Sequence, residues 1–139
     1  MSHFTQIKVK FRDKQVLKET LEFLGLKTEI CEQGCQIRDY GNRATGQIAH
    51  VIVKREQFCG TSNYGCADFG FEFKGDEAIM HCDFYNNSKL SKLGKDVNSL
   101  QAKIAKEYAF LKIKKQALSK GKTVHRVEEN SKIRVYVNG

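Results

Sequence analysis

The order in which two hydrophobic periods follow each other is the feature that most constrains the fold of this chain. Apolar residues first alternate with lysines at Ile7, Val9 and Phe11, which is the pattern of a strand with one buried face. The period then becomes helical over "KQVLKETLEFLGL", where Asp13 is a suitable N-cap and Gly25 a suitable C-terminal residue. We therefore expect a strand followed by an amphipathic helix.

The middle of the chain returns to period two in four segments that turns separate. Strands are predicted in "KTEICEQGCQIRDY", "QIAHVIVKREQF", "CADFGFEF" and "AIMHCDFY". Phe69, Phe71 and Phe73 share one side of the third segment, which predicts a buried aromatic row. A polar connector, "NNSKLSKLGK", leads to a second helix that Asp96 caps and Gly121 ends. The segment "KTVHRVEENSKIRVYVNG" predicts a closing hairpin.

The resulting element order is β-α-β-β-β-β-α-β-β, without a long linker, repeat or low-complexity block. Strands joined by short turns favour antiparallel pairing, and each amphipathic helix needs an apolar surface to pack against. We therefore predict one α+β domain over residues 1–139, with a single curved antiparallel sheet and both helices on one of its faces. A chain of 139 residues can bury a sufficient core without disulfides or a metal.

The chain has no apolar run approaching the roughly 18 to 20 residues of a membrane span. The opening "MSHFTQIKVKF" has neither an apolar signal region nor a small-residue cleavage site. We therefore expect a soluble cytoplasmic protein whose five cysteines stay reduced.

Four of the cysteines fall in two pairs, which are Cys31 with Cys35 and Cys59 with Cys66. Three residues separate the first pair, within the usual spacing of a zinc knuckle, and six separate the second, which is long. One interpretation is a four-cysteine zinc site, and the other is a set of free thiols partly buried at strand ends. Cys82 alternates with apolar residues and is expected in the core. The expected cofactor is accordingly none, with zinc as the alternative.

Histidines give the remaining hint of chemistry. His50 and His81 lie in predicted strands and could meet a carboxylate such as Asp83, although such residues are more often half-exposed strand residues without a chemical role. The sequence has no P-loop, no "GxGxxG" and no "HExxH". We assign no catalytic residue and favour a non-enzymatic protein.

A surplus of positive charge suggests a second class of function. The 24 lysines and arginines exceed the 16 acidic residues by +8, which can attract nucleic acid or an acidic partner. A solvated helix face explains the same charges without a ligand. If nucleic acid is bound, the basic patch is formed by Lys112, Lys114, Lys115, Lys120 and Lys122.

Several segments resemble one family of small proteins along nearly the whole chain. The opening "MSHFTQIKVKFRD" with "LKETLEFLGL", and then "QIRDYG", "AHVIV", "YGCADFGFEFKGD", "IAKEYAFLKIKKQALSKG" and "SKIRVYV", resemble hypothetical chloroplast reading frame thirty-five. Members are encoded in algal plastid genomes and cyanobacteria, with relatives in other bacteria. Asp39 stands where the family's Arg-Gly-Tyr turn has glycine, and the paired cysteines lie outside the family pattern.

This resemblance implies an accessory protein without a known activity, located in the plastid stroma if plastid-encoded. It also suggests a partner among ATPases of the AAA type. The main functional prediction is therefore an accessory or adaptor protein that acts by binding protein. Because arginine and tyrosine are typical interface anchors, the candidate surface is the exposed side of the sheet with Arg38, Tyr40, Arg134 and Tyr136.

Overall fold

Seven strands and four helices make up the described part of the chain, and the prediction of an α+β protein with antiparallel strands is confirmed. The computed structural model describes residues 4–60, 65–75, 77–84, 87–130 and 132–138. The elements are β1 (Thr5–Val9), α1 (Lys14–Phe23), β2 (Glu29–Arg38), β3 (Ala44–Val53), α2 (Glu56–Cys59), β4 (Phe69–Lys74), β5 (Glu77–Cys82), α3 (Ser88–Leu93), α4 (Val97–Ser119), β6 (Thr123–Glu129) and β7 (Lys132–Asn138).

Five strands form the main sheet in the order β1-β5-β4-β3-β2, and all neighbours are antiparallel. The prediction of a single sheet is wrong, because β6 and β7 form a separate two-stranded sheet. This hairpin packs on α4, where the Arg126 guanidinium binds the Glu107 carboxylate, and it does not extend an edge of the main sheet. Hydrophobic period predicts strands but does not say which edge a hairpin joins.

The two long helices, α1 and α4, share one face of the main sheet. Leu17 of α1 and Ile104 of α4 belong to the same buried cluster as Val51 and Phe71 from the strands. The Tyr108 hydroxyl joins the two helices, since it accepts hydrogen bonds from two backbone N–H groups at the start of α1, at 3.2 and 3.0 Å. Within the described ranges, no helix has the length and apolarity needed to cross a membrane.

Both predicted helix caps of α1 are present. The Asp13 carboxylate accepts a hydrogen bond from the Val16 N–H at 3.0 Å, and Gly25 follows the helix with φ +91°. The predicted boundaries are less accurate elsewhere, because two short helices lie where the sequence predicted other structure. Helix α2 replaces the end of a predicted strand, and α3 forms within the predicted polar connector, where Leu90 is fully buried. A helix of one or two turns is too short to show a hydrophobic period.

The face of the sheet opposite α1 and α4 carries a second, smaller apolar cluster. Ile37, Ala49 and Ile52 are buried there, and Phe4 with two of the cysteines packs against them. Gly70 lies beneath this cluster, where a Cβ atom would approach the Cβ atom of Ala49 to 2.6 Å. A side chain at position 70 is therefore excluded by the neighbouring strand.

Candidate functional site

A groove between α1 and α4 is the candidate binding site, and we refer to it as the helix groove. Its volume is about 210 Å³, and it is lined by Glu19, Thr20, Phe23, Glu107, Phe110, Leu111 and Lys114. Phe23 is 70% exposed at its rim, the highest exposure among the large apolar side chains that the structure describes. An aromatic ring next to an apolar groove offers a large area that a partner could bury.

Both carboxylates of the helix groove are held by cations. Glu107 is 4% exposed and makes a bidentate ion pair with Arg126, with N–O distances of 2.7 and 2.9 Å. Glu19 accepts a hydrogen bond from the Lys115 ammonium, which lowers the pKa of that carboxyl below its ordinary value. Lys114 takes part in no ion pair among the side chains that the structure describes. The groove therefore presents apolar surface and one available positive charge.

The sequence-predicted Arg38 lies in a cluster on the other side of the molecule, at the end of β2. All five of its N–H donors are used within the protein. The Nε and Nη2 atoms bind Asp68 at 3.0 and 2.9 Å, both Nη atoms bind Glu56 at 2.8 and 2.7 Å, and Nη1 also reaches Asn42 at 3.3 Å. The hydrogen bonds that Arg38 donates to Glu56 and Asp68 raise the pKa of Arg38. Its guanidinium is therefore occupied in stabilising the fold.

Asp68 is the centre of this cluster and is completely buried. Besides the Arg38 guanidinium, its carboxylate accepts the backbone N–H groups of Arg38 and Arg55 at 2.8 and 2.7 Å. Arg55 is itself 1% exposed and donates to the carbonyl oxygens of Cys66 and Tyr40, at 2.8 and 3.4 Å. We refer to these residues as the arginine clamp. It joins the end of β2, the start of α2 and the entry to β4, while Tyr40 is half-buried beside it.

A wider, more open depression lies next to the arginine clamp, with a volume of about 660 Å³. Most of its charged side chains bind one another, since Lys54 pairs with Glu29 at 3.3 Å and Glu56 pairs with Arg38. The Gln57 amide accepts the backbone N–H of Lys27 at 2.9 Å. These internal partners make the depression a weaker candidate than the helix groove.

The other half of the predicted surface, Arg134 and Tyr136, lies on β7 and therefore on a different sheet from Arg38 and Tyr40. Tyr136 is 48% exposed, and its ring lies 6.2 Å from the imidazole of His125 on β6. Arg134 is exposed next to it. The four predicted residues thus form two separate surfaces.

In the structure, the four cysteines considered as zinc ligands keep the two pairs that the sequence suggests, and each pair has its own local contacts. The Cys35 thiol donates to the carbonyl oxygen of Ala49 at 3.6 Å, and the sulfurs of Cys59 and Cys66 both approach the carbonyl oxygen of Arg55, at 3.2 and 3.8 Å. Burial raises the pKa of the Cys35 and Cys66 thiols to about 12. Within the ranges given above, no group of three or more His, Cys, Asp or Glu side chains is placed to hold a metal ion. The predicted loop "CGTSNYG" lies partly outside the described residues, since 61–64 are not among them.

The two strand histidines have separate partners. The Nε2 atom of His81 lies 3.0 Å from a carboxylate oxygen of Glu72, and both side chains are buried. The Nδ1 atom of His50 instead accepts the backbone N–H of Phe73 at 2.9 Å. Asp83, the carboxylate considered from the sequence, is buried and lies two positions after His81. His50 and His81 therefore bind different partners, the Phe73 backbone and the Glu72 carboxylate.

The basic patch considered for nucleic acid is partly neutralised. Lys112 lies 3.9 Å from the Asp13 carboxylate, and Lys115 is bound to Glu19. Lys114, Lys120 and Lys122 are exposed. Two of the five lysines therefore serve contacts between α1 and α4.

Comparisons with family models, with curated proteins and with solved structures find no match. The resemblance to the plastid family stays a prediction.

Sequence reasoning did not select Phe23, although a signal was present. The apolar stripe of α1 runs through Val16, Leu17 and Leu21, and Phe23, seven residues after Val16 and four after Glu19, lies at the border between that stripe and the polar face. A large aromatic residue at the border of the apolar face can remain exposed beside an apolar groove, which is a signal for binding.

Proposed function

We propose that this protein is an accessory or adaptor domain that binds a protein segment in the helix groove. The observation that carries the proposal is the 70% exposure of Phe23 at the rim of a groove whose floor includes Phe110 and Leu111. Exposed apolar residues are common when scattered singly, but one that borders an apolar depression forms a continuous surface with it. Short amphipathic helices are typically recognised in such grooves.

The charges around the groove favour an acidic segment. Glu19 and Glu107 are held by Lys115 and Arg126, so that Lys114 is the lining charge left for a ligand among the described side chains. The chain as a whole carries a net charge of +8, which steers acidic partners towards it. The proposed partner therefore presents an apolar anchor next to aspartate or glutamate. The resemblance to the plastid family makes an AAA-type ATPase a first partner to test.

The test uses a defined peptide. A helical peptide of about 16 residues, with leucine and phenylalanine on one face and glutamate on the other, is titrated into the isotopically labelled protein. We expect chemical shift changes around Phe23, Phe110 and Leu111. Phe23→Ala should weaken binding about tenfold, since the ring buries apolar area worth roughly 1.5 kcal/mol. Leu118→Ala is the matched control, because Leu118 is 55% exposed on α4 but does not line the groove.

Three results would contradict the proposal. The first is an absence of shifts around the groove, and the second is an equal loss of affinity in both variants. The third is equally tight binding of a peptide in which lysine replaces every glutamate. The alternative function, nucleic-acid binding, is tested by titration with single-stranded RNA. If the protein binds RNA in a salt-sensitive manner and Phe23→Ala leaves that binding intact, the protein binds nucleic acid through the lysines of α4.

A further inference from the structure

The β6–β7 hairpin has a strand edge that lacks two of the usual protections against pairing, a short strand and a bulge. Its ladder runs without a register shift through all seven pairs, from Thr123↔Asn138 to Glu129↔Lys132. The edges of the main sheet differ, because β1 has five residues and β2 has register shifts along its length. Short edge strands and bulges are devices that prevent edge-to-edge association. The hairpin shows neither.

The outer edge of the hairpin is β7. Helix α4 packs mainly against β6, where Arg126 binds Glu107 and lies 4.7 Å from the centre of the Phe110 ring. Tyr136 and Val137 on β7 are both 48% exposed. A two-stranded sheet is marginally stable by itself, and further strands stabilise it. A strand that pairs with β7 would therefore stabilise the hairpin and at the same time hold the partner to it.

The turn determines which residues of β7 direct their backbone N–H and C=O groups towards β6 and which direct them outward. The ladder ends at Glu129↔Lys132, so that two positions separate the last pair, and Asn130 at the first of them has the positive φ of +50° typical of tight hairpin turns. The pair that flanks a two-residue turn is hydrogen-bonded, and every second pair after it is as well. Arg134 and Tyr136 therefore direct their backbone groups towards β6, whereas the N–H and C=O groups of Val135 and Val137 point outward.

The outward-pointing backbone groups of β7 can form hydrogen bonds with the same groups of a second copy. If two copies of β7 pair antiparallel around Val135, each Val135 exchanges two hydrogen bonds with its copy, and Arg134 stands opposite Tyr136 of the second copy. These Arg–Tyr positions are not hydrogen-bonded, so their side chains approach most closely, in a geometry that suits a cation–π contact. No two described like charges face each other in this register, since Arg134 opposes a tyrosine.

We propose that a second copy of this chain pairs with β7, which creates a four-stranded antiparallel sheet across a two-fold axis at Val135. The occupant is another copy, because the register places complementary side chains opposite each other on the same strand. This surface lies apart from the helix groove, so the dimer and the proposed adaptor function are separate inferences. An interface of this small size is expected to dissociate at roughly 100 µM.

Sedimentation velocity over a range of concentrations tests the dimer. Tyr136→Arg places an arginine opposite Arg134 in both symmetric positions and should weaken the dimer about tenfold or more. The double variant Arg134→Tyr/Tyr136→Arg exchanges the two side chains and should restore association to within a few-fold of the wild type. Because Arg134 and Tyr136 are both exposed, folding is expected to be unaffected, and circular dichroism checks this.

Restoration in the double variant supports the antiparallel register. The proposal is overturned if the wild type remains monomeric up to about 1 mM. It is also overturned if the folded single and double variants associate to the same extent, since the Arg–Tyr pair would then not lie in the interface.

Discussion

Replacement of Asp68 by alanine should be among the most destabilising single changes in this chain. The carboxylate is completely buried and accepts two hydrogen bonds from the Arg38 guanidinium and one from the backbone N–H of each of Arg38 and Arg55. Asp68→Ala removes all four acceptor contacts and leaves the Arg38 charge to Glu56 alone. Removing one partner from a buried ion pair costs about 3 to 5 kcal/mol, and we expect a loss in this range.

Glu56→Ala is the matched control, because Glu56 binds the same Arg38 guanidinium from the solvent side. The Glu56 side chain is 41% exposed, against 0% for Asp68, so water screens its ion pair and replaces it when it is lost. We expect a cost of about 1 kcal/mol or less. Asp68→Asn, which retains the shape and one acceptor oxygen, should lie between the two.

Urea unfolding followed by circular dichroism measures all three variants against the wild type, provided that the transitions are two-state. The expected order of destabilisation is Asp68→Ala, then Asp68→Asn, then Glu56→Ala. An Asp68→Ala cost below about 1 kcal/mol would refute the argument that burial makes this carboxylate the centre of the arginine clamp. An equal loss of stability in Glu56→Ala and Asp68→Ala would also refute this argument.

The pH dependence of the control adds a second check. The hydrogen bonds from Arg38 lower the pKa of Glu56 below its ordinary value of 4.5. A carboxylate with a lowered folded-state pKa stabilises the fold above its ordinary pKa, and this stabilisation is lost as the pH falls through the lowered value. The stability difference between the wild type and Glu56→Ala should therefore be constant near neutral pH and shrink below pH 4.5. A difference that grows on acidification would contradict this sign.

Two further predictions concern packing and thiol reactivity. Gly70→Ala should cost about 1 to 3 kcal/mol in urea unfolding, because its Cβ would lie 2.6 Å from the Ala49 Cβ. Gly75→Ala, with φ +56° and no atom within 4 Å of the new Cβ, should cost about 1 to 2 kcal/mol through backbone strain alone. A cost for Gly70→Ala below about 1 kcal/mol would refute the steric argument. In native protein, iodoacetamide should label the half-exposed Cys59 before Cys82, whose burial raises its pKa to about 12. Mass spectrometry of tryptic peptides measures that order, which earlier labelling of Cys82 would contradict.

Features that depend on local chemistry could be predicted from the sequence. Asp13 and Gly25 mark the ends of α1, because a cap is determined by a few neighbouring residues. The aromatic row of β4 is confirmed for Phe69 and Phe71, which are buried and pack edge to face at 5.3 Å, while Phe73 is partly buried and packs against the same cluster. Period-two patterning is sufficient to identify such a buried side of a strand.

Features that depend on distant partners could not be predicted. Arg38 was expected to be an exposed anchor because residue type alone suggested it, whereas its partner Asp68 lies thirty positions further along the chain. The helix groove likewise needs the packing of α1 on α4, which no local pattern specifies. The attachment of the β6–β7 hairpin to α4 likewise includes an ion pair between residues nineteen positions apart, Arg126 and Glu107. Sequence patterns identify each of these residues but do not show which of them are in contact in the folded protein.

The position of β1 in the sheet has a consequence for synthesis of the chain. Its partner is β5, with Val9 opposite Ala78 and Thr5 opposite Cys82. At ribosomal rates of about 5 to 20 residues per second, the first strand waits roughly 4 to 15 seconds before its partner has been made. During that interval the apolar side of β1 is open to wrong partners, and Lys8 and Lys10 on its other side help to keep it hydrated. The nascent chain can thus close its sheet only after more than half of it has been translated.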